Sequence, residues 1–122
     1  MAKTIMVVDD SASLRQVVGI ALRSAGYDVI EGCDGRDALA RLTGQKVHLI
    51  ISDVNMPNMD GISFVKALKQ LPAYRFTPVI MLTTESQESK KAEGQAAGAK
   101  AWVVKPFRPE AMLVAVQKLV LA

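Results

Sequence analysis

Four places in the chain set a polar residue directly after a short apolar run. Thr4-Ile5-Met6-Val7-Val8 leads into Asp9-Asp10, and Leu49-Ile50-Ile51-Ser52 leads into Asp53. Val79-Ile80-Met81-Leu82 leads into Thr83-Thr84, and Ala101-Trp102-Val103-Val104 leads into Lys105-Pro106. Runs of this kind, apolar on both faces and bounded by turn chemistry, read as buried strands. In a parallel sheet their carboxyl ends share one edge, the edge at which open α/β sheets bind ligands. Residues far apart in sequence would then converge on one cleft. Three carboxylates so gathered repel one another, and at least one resists ionisation without compensation. A divalent cation with hard oxygen ligands is one compensation, and the charge of Lys105 is another. Magnesium suits a site with few carboxylates plus phosphate and water, with manganese as the alternative ion. Asp53 is the candidate nucleophile for a phosphoryl group. Such a transfer needs in-line positioning and neutralised phosphoryl oxygens more than acid-base groups. A single strand-end aspartate is explained well enough as a helix cap, and Asp10 suits that role too. Four polar strand ends together are not.

The elements that must position these groups alternate. After the first strand, Ser11-Ala12-Ser13 supplies a cap, and Leu14, Val17, Val18, Ala21, Leu22 and Ala25 recur at helical spacing as an inward stripe. Gly26 stops that helix. Tyr27 to Cys33 holds a second strand, with Cys33 expected as a small core residue. Asp34-Gly35 turns into a short helix with Ala38, Leu39 and Leu42 inward. After Asp60-Gly61, residues Ile62, Val65, Leu68 and Leu71 form a third stripe, and Pro72 to Pro78 is a loop. Gln87 to Ala97 reads as a fourth helix whose apolar positions are only Ala92, Ala96 and Ala97. Alanine buries little area, so this helix is expected to be held less firmly than the others. Pro109 opens a last helix with Met112, Leu113, Val116, Leu119 and Val120 inward. Strands alternating with helices call for an α/β fold: one doubly wound (βα)5 domain over residues 1–122, with a five-stranded parallel sheet.

Size and composition exclude several classes. With 122 residues the chain holds one core and not two. No apolar run approaches the ~20 residues of a membrane span. The opening residues lead straight into a strand, so no signal peptide is expected, and a single cysteine fits a reducing compartment. A cytoplasmic protein is the expectation. The net charge of +3 is spread along the chain with no basic run and no interleaved aromatics, which argues against a nucleic-acid partner. His48 stands alone ahead of a strand and is not expected to ligate or catalyse.

The pattern Asp9-Asp10, Asp53, Thr83, Lys105-Pro106 resembles the receiver domain of two-component response regulators. The resemblance spans Lys3 to about Leu121, and the run Asp53-Val54-Asn55-Met56-Pro57-Asn58-Met59-Asp60-Gly61 is its most specific part. The stand-alone, chemotaxis-type members are the nearest in layout. The resemblance implies the flavodoxin-like strand order 2-1-3-4-5, which is taken from that class and not read from the pattern. It implies that Asp53 takes a phosphoryl group from a histidine kinase. Asp10 and Asp53 would bind Mg2+ through carboxylates, Asn55 through its backbone carbonyl, and Asp9 through water. Lys105 would pair with the phosphoryl oxygens, and Thr83 would donate its hydroxyl to them after transfer. The Lys105–Pro106 bond would be cis. Asn55 and Glu85 would tune how fast water removes the group.

The resemblance also implies that Trp102 occupies the place of an aromatic side chain that moves inward as the threonine moves. Tyrosine, phenylalanine and histidine are more familiar there, and Thr84 is bulkier than the small residue often beside Thr83. The implied readout is a protein target on the fourth helix, fifth strand and last helix, made basic by Lys90, Lys91, Lys100 and Lys118. A monomer is expected. Two other readings keep the receiver: a phosphorelay shuttle, or a receiver regulating a kinase or other enzyme. A flavodoxin-like cofactor binder would need a Ser/Thr/Gly phosphate cradle where this chain has Asp9-Asp10. A phosphatase using Asp53 and Asn55 would need a second acid and a cap domain.

Overall fold

The computed structural model describes residues 3–42, 44–84, 91–105 and 107–120. Glu85, Lys90 and Pro106 lie outside the described residues, as does the expected cis bond. Five strands, β1 (Thr4–Val8), β2 (Asp28–Gly32), β3 (Leu49–Asp53), β4 (Val79–Thr83) and β5 (Ala101–Val104), form one parallel sheet. Its order is β2-β1-β3-β4-β5, the order expected. Between and after the strands run α1 (Ala12–Ser24), α2 (Gly35–Arg41), α3 (Gly61–Lys69), α4 (Lys91–Ala97) and α5 (Pro109–Val120).

The alternation of side chains along each strand splits the core into two layers. Ile5, Val7, Leu49, Ile51, Ile80 and Leu82 meet Val18 and Leu22 of α1 and Met112, Val116 and Val120 of α5. Met6, Val8, Ile50 and Met81 meet Ala38 of α2 and Phe64, Val65 and Leu68 of α3, with Ala97 of α4 and Trp102 beside them. Both faces are thus covered, which is why the strands carry no polar alternation.

Helix starts follow the sequence signals. Ser11 Oγ accepts from the Leu14 N–H at 3.2 Å, Asp34 Oδ1 from Asp37 at 2.8 Å, and Asp60 Oδ1 from Ser63 at 2.8 Å. Each satisfies one of the free N–H groups of a first turn. His48 Nδ1 accepts the Thr4 N–H at 3.0 Å, so this histidine closes the far end of the β1–β3 pair.

Several inward assignments need correction. Val17 is 53% exposed and Ala25 is exposed, because the buried strip of α1 runs through Val18, Gly19 and Leu22. Leu71 is 39% exposed and lies past the end of α3, while the unassigned Phe64 is fully buried. Cys33 is exposed, since the strand ends at Gly32 and the chain turns outward there. The expected loop 72–78 contains a 3-10 turn, Pro72–Tyr74, whose tyrosine hydroxyl donates to the carbonyl oxygens of Leu42 and Gln45.

Gly61, the first residue of α3, packs against the end of β3. A β-carbon there would collide with the Asp53 carbonyl oxygen and sit 2.9 Å from Met81 Cε. Backbone on one side leaves nothing to give way. Gly61→Ala is therefore expected to cost about 1–3 kcal/mol despite alanine's better helix propensity. Urea denaturation checks this, and an unchanged or higher midpoint would contradict the close approach.

Candidate functional site

The sheet order decides which strand ends meet. β1 lies between β2 and β3, so the chain's direction of winding reverses at the β1/β3 boundary, where doubly wound sheets open a crevice. Asp9 and Asp10 follow β1, and Asp53 ends β3. Carboxylate oxygens of all three lie within 4.8 Å of one another. Asp9 and Asp53 are buried and Asp10 is exposed, so the cluster opens to solvent on one side.

Lys105 reaches this cluster from β5, across the end of β4. Its Nζ lies 3.1 Å from Asp9 Oδ2 and 3.2 Å from Asp53 Oδ1. The Lys105 N–H donates to the Thr83 carbonyl at 2.6 Å, which fixes the lysine backbone beside the end of β4. Thr83 is buried at that end, one residue beyond the Asp53–Leu82 pair, and its hydroxyl donates to the Thr84 carbonyl at 3.1 Å. Of the residues expected at the site, Asp9, Asp10, Asp53 and Lys105 thus meet, and Thr83 stands beside the Lys105 backbone at the end of β4. Asn55 lies exposed just past Asp53.

Electrostatics set the character of the two central groups. Burial pushes the Asp53 carboxyl above the usual carboxylate range, and the Asp9 charge adds to this, against the opposing pull of Lys105. For Lys105, burial favours the neutral form. The carboxylates of Asp53 and Asp9 outweigh it, so the ammonium stands above its ordinary value and stays charged. Among the described residues, one lysine pairs with the carboxylates of this three-acid cluster, which leaves it short of positive charge. That shortage, together with a hard oxygen donor set open on one side, fits a divalent cation of the magnesium class.

Contacts not anticipated from the sequence hold the frame. The Ser11 N–H donates to Asp9 Oδ1 at 2.8 Å, and Arg15 Nη1 donates to the Asp9 carbonyl at 2.6 Å while Nε pairs with Glu31 at 3.1 Å. Asp34 accepts from Asn58 Nδ2 at 2.8 Å in addition to capping α2. These hydrogen bonds, the N–H of Asp37 first and the amide of Asn58 next, hold its carboxyl below the usual range. Asn58 has φ 66°, a left-handed conformation that asparagine tolerates better than most residues. The loop after Asp53 is therefore tied to the β2–α2 turn. The only sequence signal for this tie was that both segments contain Asp-Gly or Asn turn residues.

The indole of Trp102 is half-buried against the α3-side core, near α4. Lys100 and Lys118 are exposed on the expected readout face, as are Arg108 and Val104. A cavity of about 640 Å³ lies between β5 and α5, lined by Val103, Phe107, Ala111 and Leu119 among others. It is on the β5–α5 side and not at the acidic cleft.

Comparison with known proteins agrees with this geometry. Residues 5–117 match the family model described as response regulator receiver domain. The chemotaxis protein CheY4 of Vibrio cholerae superposes with a TM-score of 0.93 at 49% identity, covering 98% of this chain and 99% of that one. Protein PilG of Pseudomonas aeruginosa is 36% identical over 113 residues, 93% of this chain and 84% of PilG. The receiver domain of the sensor histidine kinase PA1611 from P. aeruginosa, with a magnesium ion coordinated in its active-site cleft, superposes with a TM-score of 0.91 at 25% identity over the full length of both. Transcriptional regulatory proteins that also match are covered over only 43–49% of their own length. Matched over nearly its whole described length by that model, and carrying the acid cluster and lysine at its β1/β3 edge, the chain belongs to the response regulator receiver domain family of two-component signalling.

Proposed function

We propose that the chain is a phosphorylation-activated signalling switch that accepts a phosphoryl group from a histidine kinase onto Asp53. One observation carries this reading. A buried carboxylate lies in a cluster of acids at the switch point of the sheet, with Lys105 Nζ 3.2 Å away.

Asp10 and Asp53 through their carboxylates, Asn55 through its backbone carbonyl and Asp9 through water would hold Mg2+. The bound ion supplies positive charge that neutralises the phosphoryl oxygens. The PA1611 receiver, with magnesium in its cleft, supports this assignment. The chain's own groups do the rest. Ionised Asp53 attacks the phosphorus of a phosphohistidine: a P–O bond to the aspartate forms, the P–N bond breaks, and the imidazole keeps the electron pair and takes a proton. Lys105 turns from carboxylate pairing to the phosphoryl oxygens, and its raised pKa keeps it charged for that role. Thr83 exchanges its bond to the Thr84 carbonyl for one to the phosphoryl group, which is the structural event that β4 can pass on. Glu85 and Asn55 tune hydrolysis.

The signal leaves by protein contact on α4, β5 and α5, with Lys100 and Lys118 contributing charge. The likeness to CheY4 favours chemotaxis as the setting. A relay or kinase-regulating role is the second reading, favoured by the match to a receiver that is part of a sensor kinase. The protein acts as a cytoplasmic monomer without nucleic acid. Thr83 and Trp102 form the switch, a two-state equilibrium that the phosphoryl group biases only by binding one state better.

Three outcomes follow. Asp53→Asn keeps its far-UV circular dichroism and loses acid-labile labelling by acetyl phosphate or phosphoramidate; undiminished labelling would put the acceptor elsewhere. The same variant, in metal-free buffer, melts higher than the native chain at neutral pH by on the order of a few degrees. The reason is linkage: with a raised folded pKa, Asp53 binds a proton in the folded state that the unfolded state releases. Stability therefore falls as pH rises from the ordinary carboxylate range through the raised value, and stays lower above it. The gain must shrink as pH is lowered through that window, and a gain that persists in acid would refute the charge explanation. Finally, Trp102 emission changes when Mg2+ and beryllofluoride are added together and not with either alone. An unchanged spectrum despite demonstrated binding would remove Trp102 from the switch.

A further inference from the structure

Gly94 sits near the middle of α4, where glycine costs a helix stability relative to alanine. Its φ lies outside the left-handed region, so backbone conformation does not require it. Space does. A β-carbon on Gly94 would collide with Trp102 Cη2 and lie 2.6 Å from Cζ2 and 3.5 Å from Cζ3. All three atoms belong to the six-membered ring of the indole, the part that a phenylalanine at the same position would not reach. Gly94 is buried, whereas Ala92, Glu93, Gln95 and Ala96 around it are exposed. The described part of α4 therefore meets the body of the protein at Gly94 and Ala97, and at Gly94 what it meets is Trp102. Among the described residues, Trp102 Nε1 is a buried donor without an acceptor. Among the described residues no hydrogen bond anchors the ring, so apolar fit to its neighbours positions it.

We propose that Gly94 is the positioning residue for Trp102: the two form a size-matched pair across the α4–β5 joint, so that the ring and the helix take up position together. This explains how the chain accommodates a tryptophan where smaller aromatics are more familiar. It also gives α4, whose apolar residues are small, a defined point of attachment beside that at Ala97. The proposal rests on the phosphoacceptor reading only for its consequence at the acidic cleft. Met81, the β4 neighbour of Trp102 in register, puts its Cε in the space that a β-carbon on Gly61 would need, beside the Asp53 carbonyl. A shift of the ring is thus one packed side chain from the acceptor strand.

The test is a double-variant cycle between Gly94→Ala and Trp102→Phe, read three ways. Thermal melting of Gly94→Ala alone falls, whereas in the Trp102→Phe background the same change raises the melting temperature, as alanine does in an open helix position. Acrylamide quenching of the single tryptophan rises in Gly94→Ala as the ring leaves its recess. The concentration of beryllofluoride with Mg2+ needed for half-saturation changes at least about fivefold in Gly94→Ala. In the Trp102→Phe background it changes by less than about twofold. A melting effect of the same sign in both backgrounds, or quenching equal to the native chain, would overturn the pair. An equal change in beryllofluoride affinity in both backgrounds would overturn its link to the cleft. If the native chain itself fails to bind beryllofluoride, the phosphoacceptor reading fails, while melting and quenching still decide whether the pair exists.

Discussion

Like charge crowded into a half-buried cleft, with one lysine against three acids, is the constraint around which the molecule is built. Burial and the neighbouring Asp9 charge both penalise the anion of Asp53. Lys105 compensates part of that cost from a different strand, across β4. The arrangement is tolerable because its backbone is heavily tied: Ser11 and Arg15 bond Asp9, and the lysine N–H bonds Thr83. A site so held stores a demand for positive charge, which the proposed phosphoryl transfer with its cation would meet.

Rigidity is unevenly distributed around this cleft. The strand β3 is buried along its whole length, and α3 begins by pressing Gly61 onto its last carbonyl. The loop between them is pinned at Asn58 by Asp34, which also caps α2. The β3 side of the cleft is therefore closely held. On the other side, α5 inserts Met112, Val116 and Val120 into the core, but α4 offers glycine and alanine. A helix that buries so little apolar area opens or shifts at low cost.

Under the reading proposed above, that asymmetry would give a signal its direction: the α4–β5 corner has the least buried apolar area to give up. Lys69 reinforces the boundary from α3: its ammonium donates to the Thr77 carbonyl at 2.6 Å while its stem covers Gly98, just past α4. The base of α4 is thus fastened, and its middle depends on the fit between Gly94 and the indole. Bistable packing, not a continuous deformation, is what such a joint can deliver.

Much of this was legible in the chain itself. Apolar runs ending on Asp9, Asp53, Thr83 and Lys105 carried both the parallel sheet and the acid cluster, because strand ends of one sheet must share an edge. Caps at Ser11, Asp34 and Asp60 were equally local signals. The helix faces were less so. Val17 and Ala25 belong to a plausible stripe, but α1 sits rolled toward Gly19, and Phe64 was hidden within a pattern that fits several faces. Cys33 turns outward because its strand stops one residue earlier, which no composition rule states. The tie from Asp34 to Asn58, the press of Gly61 on Asp53 and the recess of Gly94 under Trp102 arise only when distant segments pack. Local periodicity and turn chemistry determine which groups reach the edge; the distances between them, and the spaces left by missing side chains, are set by how whole elements settle against one another.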